Sequence, residues 1–114
     1  MDLEKMLKKW QSRLGLSDWN ITIKFDTARN MNDNLGSTYL QNQVQMADIR
    51  IKALNDRQKS DSAENDPELD LVHELIHIRL WAIDPRDAEG VFHICREQAI
   101  EWIAKALITS DRQT

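Results

Sequence analysis

A chain of 114 residues, 41% hydrophobic and 30% charged, is long enough for one globular domain over 1–114 with its own core. Its net charge of −4 speaks against a dedicated nucleic-acid binder, which carries a basic face. Met1-Asp2-Leu3-Glu4-Lys5 lacks the pattern of a signal peptide, no apolar run approaches the ~18 residues of a membrane span, and Cys95 has no second cysteine to pair with, so the expected setting is the cytoplasm.

Leu3, Met6, Leu7, Trp10 and Leu14 fall at helical spacing with Lys and Gln opposite, which predicts an amphipathic helix over 2–14 ended by Gly15. Trp19, Ile21, Ile23 and Phe25 then alternate with polar residues as a half-buried strand does. Residues 27–36 read as a polar loop, Thr38 to Gln41 as a second strand turning near Asn42-Gln43, and Ala47, Ile49, Ile51 and Ala53 as a third. The simplest topology is an antiparallel meander. Residues 54–66, almost wholly polar, read as a mobile loop long enough to border a cleft. The four tryptophans are expected to help fill the core.

Asp66-Pro67 is a helix start, with an Asp N-cap and Pro in the first turn. From there to about Ile83 two apolar stripes run together, Leu69, Val72, Ile76 and Leu80 beside Leu71, Leu75 and Ile78. A helix buried on two sides lies between layers, here the sheet and another helix. Asp84-Pro85 breaks the pattern and can cap a last helix from about 88 to 109, with Phe92, Ile100, Ile103, Ala104 and Leu107 on one face. The fold class is α+β: an N-terminal helix, a three-stranded mainly antiparallel sheet, a buried helix and a C-terminal helix.

The buried helix carries His73-Glu74-Leu75-Ile76-His77. Shuffling this composition produces His-Glu-x-x-His in roughly three chains per thousand. On a helix the two histidines lie one turn apart, about 6 Å between Cβ atoms, and both imidazoles can reach one tetrahedral ion. Glu74 projects about 100° around the helix, beside the metal, where a carboxylate can take a proton from a water on it. The plain alternative is two histidines satisfied inside a packed helix.

A catalytic zinc needs a third protein ligand, and the last helix offers three candidates. Glu97 borders the apolar face, about 20° from Ala104; His93 lies one turn earlier and nearer the centre of that face; Glu101 lies one turn later and more exposed. His93 and Tyr39 are also candidate hydrogen-bond donors to a developing oxyanion. Cys95 reads as a small buried hydrophobe.

His73-Glu74-x-x-His77, followed by Glu97-x-x-x-Glu101, resembles the gluzincin metallopeptidases. With the Leu16-x-x-Trp19-x-Ile21-x-Ile23 and Ala47-x-Ile49-x-Ile51 strands, nearly the whole chain is similar to the minimal single-domain gluzincins (minigluzincins) of bacteria and phages. The resemblance implies a zincin-like fold, Zn2+ held by His73, His77 and Glu97, Glu101 supporting a motif histidine, and Glu74 as the catalytic base in peptide hydrolysis. Gluzincins usually have Asp where Glu101 stands. The resemblance also implies a peptide or protein substrate paired along the strand ending near Ala53. It admits a latent form, its cleft covered by the tail Thr109–Thr114 or by a self-associated second copy. A non-enzymatic zinc-stabilised binding module is the alternative.

Overall fold

Asp2 opens the first helix by accepting the Lys5 N–H at 3.1 Å in the computed structural model, which describes residues 2–32, 34–57, 65–83 and 89–113. That helix, α1, runs over Leu3–Arg13 and buries Leu7 and Trp10. It ends in a Schellman turn: Leu16 N–H reaches Gln11 O, Gly15 N–H reaches Ser12 O, and Gly15 takes φ +70°, as expected for a glycine at that position. The Gln11 amide donates to Leu16 O and Trp19 O, fixing the corner from which the first strand departs.

Strand β1 (Asn20–Asp26) buries Ile21 and Ile23. The stretch read as a plain loop contains a one-turn helix, α2 (Ala28–Met31), capped by Thr27 and anchored by the buried Met31. Strand β2 (Gly36–Gln41) follows, then a 3-10 turn over Asn42–Val44, then strand β3 (Met46–Lys52).

The sheet corrects the expected meander. Its order is β1-β3-β2, with β1 parallel to β3 and β2 antiparallel to it. The sheet is therefore mixed, and β3 takes the centre. Burial explains why: Ile49 and Ile51 are wholly enclosed, whereas β2 holds no fully buried residue. The strand ending near Ala53 thus has neighbours on both sides and cannot pair with a substrate. Among the described residues β1 and β2 form the two edges of the sheet, and β2 is the edge strand packed on α3.

Helix α3 (Pro67–Arg79) begins as expected, with Asp66 accepting the Leu69 N–H and Pro67 in the first turn; it stops at Arg79, short of Ile83. Both of its apolar stripes are in the core, against β2 and β3 on one side and helix α4 (Gly90–Arg112) on the other. The start of the loop at 54–66 is held in place: a 3-10 turn spans Leu54–Asp56, and Arg57, its side chain 2% exposed, donates to Lys52 O and pairs with Asp70 Oδ2 at 2.8 Å. Residues 58–64 of that loop, and Asp84-Pro85, lie outside the described residues.

Helix α4 buries Ile100 and Ala104 as expected, with Ile108 beside them and Leu107 packed against the core, whereas Phe92 and Ile103 are exposed. Cys95 is exposed too, where a buried hydrophobe was expected. Of the tryptophans only Trp10 is fully enclosed, and Trp102 is 71% exposed. Among the described residues the tail does not lie over a cleft. Through Arg112 it continues α4 toward the start of α3, where Arg112 pairs with Asp66 and Glu68, and Asp111 pairs with Lys9 and Arg13. Among the described residues no helix is long and apolar enough to cross a membrane.

Candidate metal centre

His73 and His77 lie one turn apart on α3, where it faces α4, and their ring centroids are 5.1 Å apart. Glu97 comes to meet them from α4. Its Oε2 is 3.0 Å from His77 Nε2 and its Oε1 is 3.8 Å from His73 Nε2. One ligand atom from each of His73, His77 and Glu97 lies within 4.8 Å of the others. A tetrahedral zinc with bonds of 2.0–2.2 Å needs ligand atoms about 3.3 Å apart, so the group accepts an ion with small side-chain adjustments.

The donor chemistry fits as well. Glu97 Oε2 is buried and accepts no hydrogen bond among the described residues, although two imidazole nitrogens face its carboxylate. A cation at this place would give Glu97 Oε2 a partner. Glu101 Oε1 lies 3.2 Å from His73 Nδ1, one helical turn from Glu97. In the tautomer with the proton on Nδ1, Glu101 accepts it and Nε2, on the side of Glu97, keeps its lone pair.

Glu74 sits under β2. The residue is 8% exposed, and the Thr38 hydroxyl donates to Oε1 at 2.7 Å. Burial pushes the Glu74 carboxyl above the ordinary range, while the Thr38 hydrogen bond and the two histidines pull it down. Gly36 makes room: a Cβ there would stand 3.2 Å from Glu74 Cγ and Oε2. Asn34, Leu35, Gly36, Asp70, His73, Glu74, Glu97 and Glu101 surround a cleft of about 210 Å³.

Two expected participants are elsewhere. His93 is on the exposed start of α4, its Nδ1 2.8 Å from Arg96 Nη2, and it does not join the histidine–glutamate cluster. Tyr39 is 68% exposed and, next to Thr38 on a strand, projects from the opposite face of the sheet from the one that meets Glu74. Thr38, Gly36 and Asp70 were not singled out from the sequence. Nothing local marks them, since their role depends on β2 lying over α3.

No protein-family model matches the chain, and no curated protein or solved structure shows significant similarity to it.

Proposed function

We propose that the chain is a zinc-dependent peptidase of the minimal gluzincin type, with His73, His77 and Glu97 as metal ligands and Glu74 as general base. The observation that carries this reading is the convergence of those three ligand groups from two packed helices, beside a buried carboxylate that is not itself part of the cluster. When bound, zinc supplies Lewis acidity toward a water and toward a peptide carbonyl.

The chain's own groups supply the rest. Thr38 holds Glu74 through Oε1, and Oε2, beside Gly36, takes the proton of the attacking water and passes it to the departing amine. A carboxyl raised by burial accepts that proton more readily than an exposed one. Glu101 orients the His73 ring. The free edge of β2 offers backbone groups to an extended peptide, which would run past Glu74. Three protein donors beside an open cleft fit a catalytic site better than a structural one, which four protein ligands normally close.

The test is to load the protein with one equivalent of zinc and assay it on an unfolded protein substrate, alongside Glu74→Gln. The variant should retain the metal and lose hydrolysis. Undiminished turnover in Glu74→Gln removes the mechanism. Tight zinc binding with no turnover in the wild type leaves a zinc-stabilised binding module instead.

A further inference from the structure

Helix α4 has a second organised face, pointing away from the core and from the metal ligands. Phe92, Cys95, Ala99, Trp102, Ala106 and Thr109 are all exposed. Their spacing alternates three and four residues across the length of α4, the repeat that places side chains in one seam between two helices. The seam is about 170° around the helix from Ile100, Ala104 and Ile108, which face the core. Val91 and Ile103, 76% and 49% exposed, flank it.

Trp102 and Phe92, 71% and 59% exposed, leave on the order of 300 Å² of aromatic surface in water. With the flanking and small residues the stripe reaches about 600 Å², at the upper end of what a monomer exposes as one patch. Two such stripes face to face bury at most about 1,200 Å², which reaches the lower bound for a specific interface.

The order of side-chain sizes selects the partner. Along the seam an antiparallel copy sets the large Trp102 on Ala99 and the large Phe92 on Thr109, with the small Cys95 and Ala106 meeting between these layers, each pair occurring twice about a two-fold axis. A parallel copy would stack Trp102 on Trp102 and Ala99 on Ala99, overfilling one layer and emptying the next. It would also align the helix dipoles unfavourably. At the flanks of the antiparallel register Gln98 faces Lys105, and Arg96 faces Ile103, so no like charges are opposed.

We infer that the outward face of α4 is a self-complementary docking surface that pairs antiparallel with the same face of a second copy, leaving both metal clefts open. At this interface area the dimer is concentration-dependent. It differs from a latent dimer in which one copy covers the cleft of the other, because Glu97 and Glu101 lie outside the seam.

Sedimentation of the full chain should show the mass rising from 13.3 kDa toward twice that value with concentration. Trp102→Glu, at an exposed position, should stay monomeric with an unchanged circular dichroism spectrum. The register is read by Ala106→Cys, which on mild oxidation should cross-link through Cys95 of the other copy. Within one helix those positions are about 16 Å apart, too far for a disulfide. A wild type that stays monomeric at every concentration overturns the proposal, as does a dimer that Trp102→Glu leaves intact. Efficient Cys95–Cys95 cross-linking in the wild type overturns the antiparallel register. None of these readouts depends on zinc or on hydrolysis.

Discussion

Gly36 and Glu74 are in contact across the gap between β2 and α3, and only the absence of a side chain at Gly36 lets the carboxylate occupy its place: a Cβ would lie 3.2 Å from Glu74 Oε2. Glycine weakens a strand interior, so its use here trades some strand stability for the position of a buried acid. Gly36→Ala should displace the carboxylate by a few tenths of an ångström without unfolding the protein. Catalysis is sensitive to small misplacements, so hydrolysis should fall at least tenfold while zinc affinity stays within a few-fold. Parallel loss of both would show that the substitution acts on the whole site.

Thr38 controls the same carboxylate from its other oxygen. Its hydroxyl lowers the proton affinity of Glu74 against the larger effect of burial. In Thr38→Val the hydrogen bond is lost with little change in shape, so the Glu74 carboxyl rises further. The acid limb of the pH–rate profile should then move to higher pH, reducing activity on that limb more than at the plateau. A buried acceptor without its donor also costs about 1–3 kcal/mol of stability, measurable by denaturant unfolding. An unmoved acid limb would assign that limb to another group.

How much of this could be read from residues alone differs from element to element. Helix α3 was legible because its stripes, Asp66-Pro67 start and His73-Glu74-x-x-His77 motif are all local. Glu97 was nominated by its angle on α4, and the structure brings it to the histidines. The sheet order was not deduced, although a clue was present. Gly36-Ser37-Thr38-Tyr39-Leu40-Gln41 is too polar for the middle of a three-stranded sheet, whereas Ala47, Ile49 and Ile51 suit it. Chain order does not reveal which strand is central, because β2 and β3 are neighbours in either arrangement and only the place of β1 differs. Phe92 and Ile103 lie at one margin of the apolar arc that holds Ile100 and Ala104, about 60–80° from Ile100, and that margin faces water. His93 shares the core-facing arc of an ideal wheel, yet α4 begins beyond the part of the body it packs on, so the arc meets water there.

The choice between Glu97 and His93 as third ligand has a direct thermodynamic test. A ligand binding only the folded state at a hundredfold excess over its dissociation constant adds about 2.7 kcal/mol, roughly 10 °C in Tm for a domain of this size. Wild type should show such a zinc-induced shift by calorimetry, and Glu97→Ala should lose most of it. His93→Ala should keep it. Glu101→Ala should bind zinc 10- to 100-fold more weakly, since His73 loses the acceptor at Nδ1. A shift lost in His93→Ala and kept in Glu97→Ala would reverse the assignment.

Asp70 gives the apo protein an unusual pH dependence. Burial raises its carboxyl from 3.8 to about 6, against the attraction of Arg57 beside it. The folded state therefore holds this proton more tightly than the unfolded chain does. Its contribution to stability is present below about pH 4 and is lost as pH rises through about 6. The size is on the order of 3 kcal/mol at full ionisation. Carboxylates such as Glu68, held low by Trp10, Lys9 and Arg112, act in the opposite sense and lose their contribution as pH falls. Comparison with Asp70→Asn isolates the single group, because the amide matches the protonated acid and leaves every other titration in place. In metal-free protein the stability of wild type relative to Asp70→Asn should decline by about 2–3 kcal/mol between pH 4 and pH 7, measured by urea unfolding at each pH. A gap that instead widens in favour of wild type at neutral pH would mean that the pair with Arg57 outweighs burial. Asp70 would then be a stabilising anion in the first turn of α3 and not a buried acid that disfavours its charge.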